Sequence, residues 1–87
     1  MPYFVYIIKT IKGKSNKTYV GYTNDVEKRL KTHNLNKGAK STKGHKWKVI
    51  YKKKFLEKSD ALKYEYEIKK NRKKRLYIIS KILKQNA

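Results

Sequence analysis

Apolar and polar positions along the chain fall into blocks of two different periods. Tyr3 to Lys9 is β-branched and aromatic, which predicts a strand. Ile11 to Lys17 carries Gly13, Ser15 and Asn16, a turn composition. Lys17 to Tyr22 reads as a second strand, so the pair predicts an antiparallel hairpin. Thr23, Asn24 and Asp25 then signal a helix start, and Asn24 as N-cap places Glu27 at the third helical position, a capping-box arrangement. That helix is expected to run to about Asn36, with Gly38 ending it. Residues 37–46 form a basic loop. Trp47, Val49 and Tyr51 alternate with Lys46, Lys48, Ile50 and Lys52, a third strand with one apolar face. Ser59 and Asp60 open a second helix through about Lys70, and Asn71 caps a third whose apolar face is Leu76, Ile79, Ile82 and Leu83. The order β-β-α-β-α-α predicts an α/β fold: a small three-stranded, mostly antiparallel sheet flanked by helices, as one domain over residues 1–87.

Composition narrows the partner. Against 25 Lys and Arg stand six Asp and Glu, a net charge of +19. Such a chain attracts polyanions, and nucleic acid is the expected partner because 13% of the residues are aromatic and bases stack on rings. The absence of cysteine excludes a disulfide framework and a Cys-ligated zinc site, and two histidines exclude a His-rich metal site. The longest apolar runs fall far short of the ~18 residues a membrane span needs. A coat for anionic membranes would need a basic amphipathic helix with bulky apolar anchors, which is not visible. With no basic segment ahead of an apolar stretch at the N-terminus, a cytoplasmic location is expected. Oligomeric state is not legible.

Two groupings carry candidate chemistry. At about 100° per residue, Ala61, Leu62, Tyr64, Glu65 and Ile68 share one arc of the second helix, while Lys63, Glu67 and Lys70 lie opposite. A carboxylate within an apolar arc needs a partner. A salt bridge to a lysine at the core edge and a ligand for a hard divalent cation both answer that need. In the first helix Arg29 and His33 are four apart, hence neighbours beside the Val26–Leu30 line. They read as a core-edge pair or as a phosphate clamp with an imidazole beside it. Arg29 is one of three arginines among mostly lysine, and a guanidinium grips phosphate bidentately.

The hairpin carries the most specific signal. Phe4-Val5-Tyr6 in the first strand and Tyr19-Val20-Gly21 in the second resemble the paired motifs of the GIY-YIG nuclease superfamily. The stretch from Tyr19 through Asn34, the segment Lys37-Gly38-Ala39-Lys40-Ser41-Thr42 and the run from Ala61 to Lys70 resemble its small single-domain bacterial branch, similar to the YhbQ type. The resemblance covers almost the whole chain and implies the same order of elements. Phe4 stands where the motif has glycine, a substitution this branch tolerates. No residue matches the late active-site asparagine of many members, and Asn71 is not assigned to it.

By this resemblance Tyr6 and Tyr19 are the two motif tyrosines, Gly21 is the motif glycine that leaves room for substrate or packing, and Arg29 is the phosphate-contacting arginine. Glu65 is the metal-binding glutamate, and His33 stands at a histidine position common in the family. Lys37, Lys40 and Lys43 are expected to meet substrate together with Gly21. The implied function is a DNA endonuclease that uses Mg²⁺ or Mn²⁺, with structure-selective cleavage and a place in repair or recombination among the expectations. One motif tyrosine acts as general base, and since an ordinary phenol has a pKa of ~10, the cationic surround is expected to depress it. The alternative is a non-catalytic DNA- or RNA-binding protein, which the charge and aromatic content fit equally well.

Overall fold

The structure is a computed structural model that describes residues 2–11, 17–35 and 44–85. Its elements are β1 (Tyr3–Thr10), β2 (Thr18–Thr23), α1 (Val26–Asn34), β3 (Trp47–Phe55), α2 (Lys58–Lys70) and α3 (Arg72–Gln85), in the expected order. The turn around Gly13, most of the basic loop and its Lys37, Gly38, Lys40 and Lys43 lie outside the described residues.

The sheet order is β2-β1-β3, antiparallel throughout. β1 therefore lies in the centre, and its unbroken apolar run has a physical cause: both of its faces are covered. Val5 and Ile7 pack with Val20, Ala61, Ile68 and Ile79 on the side of α2 and α3. Tyr6 and Ile8 pack with Val26 and Trp47 on the side of α1.

Local chemistry shifts several boundaries. The N-cap of α1 is Asp25, one residue after Asn24, and its Oδ1 accepts from Lys28 N at 3.1 Å. The Thr23 hydroxyl causes the shift, because Oγ1 accepts from Asp25 N at 3.1 Å and donates to Asp25 O at 3.2 Å, keeping the backbone extended through Asp25. Glu27 is left in the first turn and is not the third helical residue of a capping box. At the other end Asn34 ties α1 to β3, with Oδ1 accepting from Trp47 N at 2.7 Å and Nδ2 donating to Trp47 O at 3.2 Å.

β3 does not keep one apolar face. Ile7 opposes Tyr51 and Ile8 opposes Val49, so Ile50 is an extra residue, a bulge that flips the strand's alternation. Trp47 and Val49 join the α1 side, whereas Ile50, Tyr51 and Phe55 join the α2–α3 side.

α2 begins at Lys58, just before the expected Ser59, with Glu57 as a cap that makes no side-chain bond. Asn71 caps α3 as expected, its Oδ1 accepting from Lys74 N at 3.1 Å. Arg75 turns back on α2, donating to Ile68 O at 3.1 Å and Lys69 O at 2.9 Å, two carbonyls the helix end leaves without intrahelical donors. Ile79 is buried and Ile78 packs beside it, while Leu76 is half-exposed, so the core face of α3 is rotated from the expected one. Among the described residues no helix is long and apolar enough to cross a membrane.

Candidate active site

Register brings the two motifs together. Tyr6 on β1 opposes Gly21 on β2, and Ile8 opposes Tyr19. Residues paired across a sheet share a face, so Tyr6, Tyr19 and Gly21 all lie on the α1 side. A β-carbon built on Gly21 would fall inside the Tyr6 phenol, at its Oη and Cζ. The missing side chain thus makes room for the ring of Tyr6.

α1 closes the site from above. His33 is completely buried, and its Nε2 shares a 3.0 Å hydrogen bond with Tyr6 Oη. The Tyr19 ring lies 5.2 Å from the imidazole, tilted at 59°. Tyr6 is only 1% exposed. One turn before His33, Arg29 faces the same phenol. Its Nε is buried and has no hydrogen-bond partner among the described residues, a donor that no protein group uses. Arg29 also lines a small polar cleft with Thr23, Asp25, Lys28 and Thr32 at the start of α1.

Glu65 approaches from α2. It is neither deep in the apolar arc nor isolated: its side chain is 19% exposed and pairs with Lys69 one turn on, Nζ to Oε2 at 3.5 Å. Ala61 and Ile68 carry the buried face of α2, and Leu62 is exposed. Lys69 also sits over the Tyr19 ring, 5.6 Å from its centroid. Lys69 was not singled out from sequence, although its i,i+4 spacing from Glu65 was visible there. Glu67 points away and pairs with Lys74 on the surface.

The electrostatics correct one expectation. Burial pushes the Tyr6 phenol up to about 12, with Tyr19 and Glu65 acting in the same direction and Arg29 opposing them. The cationic surround does not win at this residue, because desolvation of a phenolate outweighs one neighbouring guanidinium. Tyr6 is therefore a neutral hydroxyl. His33 is held below its ordinary 6.5 by burial and by the Arg29 charge, so it is neutral as well.

Among the described residues no group of three or more His, Cys, Asp or Glu could cage a metal ion. Among the described residues Glu65 is the carboxylate that acts on the Tyr6 phenol, while Asp25, at the Arg29 cleft, is engaged as the N-cap of α1. A single carboxylate fits Mg²⁺ or Mn²⁺, which take one or two protein carboxylates and complete their shell with water and phosphate oxygens.

Comparison with known proteins identifies the family. The family profile of the GIY-YIG catalytic domain matches residues 2–80. The chain is 45% identical over 82 residues to the UPF0213 protein YazA of Bacillus subtilis, covering 91% of this chain and 80% of that one. It is 44% identical over 80 residues to the UPF0213 protein SSP2268 of Staphylococcus saprophyticus, covering 90% and 94%. It also resembles the solution NMR structure of the UPF0213 protein BH0048 from Bacillus halodurans, with a TM-score of 0.57 and 36% identity over 92% of this chain and 84% of that one.

Proposed function

Because the chain belongs to the GIY-YIG catalytic-domain family, we propose that it is a divalent-metal-dependent endonuclease that hydrolyses phosphodiester bonds in DNA. The observation that carries this reading is the buried, unpartnered Nε of Arg29 beside the Tyr6–His33 pair, in a protein of net charge +19. A buried guanidinium N–H without a protein acceptor is a donor held ready for an anionic one, and planar forks match phosphate.

In this reading Arg29 holds a non-bridging phosphate oxygen and takes up the charge that grows there in the transition state. Tyr19 is the general base, since it is the partly exposed motif phenol, with the Lys69 ammonium over its ring. Tyr6, neutral and packed on Gly21, positions His33 and excludes water from beneath the phosphate. His33 in turn fixes the Tyr6 hydroxyl and presents its ring to Tyr19. Glu65 would hold the metal, which when bound neutralises phosphate oxygens and stabilises the departing 3′ oxygen. Lys69, paired with Glu65, keeps that carboxylate in place until phosphate and metal arrive. Lys37, Lys40 and Lys43 add charge for the nucleic-acid backbone.

The test is incubation of the purified protein with a panel of labelled DNA and RNA structures in Mg²⁺, Mn²⁺ or EDTA. Cleavage of DNA with either metal and none in EDTA is the expected result. Binding to the panel without cleavage under any condition would instead identify a non-catalytic nucleic-acid binder.

A further inference from the structure

The corner between α2 and α3 holds a second cationic, aromatic surface that the proposed chemistry does not use. Tyr66 is 63% exposed, a large ring on the surface of a small protein. Lys70 lies over it, Nζ 5.5 Å from the ring centroid. The two line a groove with Glu67, Asn71, Arg72 and Lys73. Its only carboxylate, Glu67, is neutralised by Lys74. Lys70, Arg72 and Lys73 are exposed, and none of them makes an ion pair among the described residues.

The position sets this surface apart from the site of Glu65. Glu65 and Tyr66 are consecutive on α2, and Lys69 and Lys70 follow them one turn on. Lys69 leans toward Tyr19 and Lys70 toward Tyr66. The two lysine–tyrosine pairs therefore lie on different faces of α2, with Lys70 and Glu67 on the side away from Glu65. Three cations without an ion pair among the described residues, one of them over an exposed ring, repel a second copy of this chain and suit an anion with a flat apolar face. A nucleotide is such a group: its phosphate meets the cations and its base stacks on the ring.

We infer that the Tyr66–Lys70–Arg72–Lys73 groove is a stacking site for an unpaired nucleotide, separate from the site of Glu65. The inference goes beyond the nuclease reading and stands on the groove's own residues. A base inside a duplex is already stacked on both faces, so Tyr66 rewards only a strand with unpaired bases. The ligand class is then nucleic acid with a single-stranded segment.

The experiment is equilibrium binding in EDTA, which keeps binding apart from cleavage, using labelled oligo(dT), oligo(rU) and a blunt DNA duplex of equal length. Wild type is compared with Tyr66→Ala and Tyr66→Phe. Loss of stacking is expected to weaken binding of at least one single strand by about fivefold or more in Tyr66→Ala, with duplex affinity unchanged and Tyr66→Phe close to wild type. Which single strand responds more identifies DNA or RNA as the source of the base. Unchanged single-strand affinity in Tyr66→Ala, or equal losses for single strand and duplex, would overturn the inference. A protein that shows the Tyr66 effect and never cleaves keeps the stacking site and loses the nuclease reading; one that cleaves and shows no Tyr66 effect does the reverse.

Discussion

The phenol of Tyr6 occupies the space that a β-carbon on Gly21 would fill. The two residues face each other across the β1–β2 ladder, so neither can move away without breaking strand pairing. Gly21→Ala is therefore expected to displace the ring, stretch the 3.0 Å bond to His33 and cost about 1–3 kcal/mol, the range for overpacking a filled interior. A thermal melt measures the loss, and cleavage should fall further than stability explains. A Gly21→Ala protein with the wild-type melting temperature would show that the ring has room to spare.

His33 gives the fold an acid-side dependence with a definite sign. Burial and Arg29 hold its imidazole below the ordinary 6.5, so the unfolded chain takes up a proton first. Stability is full above the unfolded value and falls as pH drops through it, until the folded imidazole itself protonates. Melting temperatures from about pH 7.5 to about pH 5 should decline more steeply in wild type than in His33→Gln. Parallel curves would show that His33 titrates alike in both states.

Tyr6 acts at the alkaline end. Its phenol is raised from 10.0 to about 12, chiefly by burial, so the unfolded chain ionises first and stability falls as pH rises from 10. Full ionisation of the difference corresponds to about 2–3 kcal/mol. Tyr51, bonded to Tyr64 at 2.8 Å and likewise raised to about 12, adds to the same decline. Tyr6→Phe removes its share of that decline, leaving that of Tyr51, while costing about 1 kcal/mol at neutral pH for the lost bond to His33. Denaturant melts near pH 7 and pH 11 compare the two proteins, and an equally steep alkaline loss in Tyr6→Phe would contradict the assignment.

Arg29 has two readouts. Arg29→Ala should lower cleavage by about 10²–10³ while weakening binding much less, because its charge is used in the transition state. Arg29→Lys should restore little, since a point charge lacks the planar fork. The second readout needs no activity: Arg29 depresses the His33 imidazole, so its loss should raise the His33 titration followed by NMR. Equal losses in binding and cleavage, with His33 unmoved, would reduce Arg29 to a general electrostatic contact.

The order of elements was legible because each has a local signature: the β-branched run of β1, the Asn71 cap of α3, and the switch from strand to helix after Thr23. What the sequence hid depends on register. The Ile50 bulge splits Trp47 and Val49 from Tyr51, and no local property of three alternating apolar residues announces it. The contact of Tyr6 with Gly21 and its bond to His33, 27 residues away, need the sheet and α1 in place. The rise of the Tyr6 phenol follows from burial on the covered face of a central strand, whereas the count of lysines suggested the opposite. The position of Glu65 in a helical arc was readable, but its remaining exposure and its pairing with Lys69 were not.

Glu65 tests the central claim most directly. Its ion pair with Lys69 is partly exposed and lies within one helix, so its loss is worth only about 0.3–0.5 kcal/mol. Glu65→Gln should therefore melt close to wild type, bind DNA in EDTA at least as tightly, and fail to cleave in Mg²⁺ or Mn²⁺. Glu67→Gln, two residues away in an exposed pair with Lys74, controls for charge and should cleave normally. The deciding measurement is the cleavage rate of a labelled DNA substrate by the three proteins, with melts run in parallel. Activity abolished in Glu65→Gln alone, with folding intact, is the predicted result. A Glu65→Gln protein that cleaves at the wild-type rate would contradict the account.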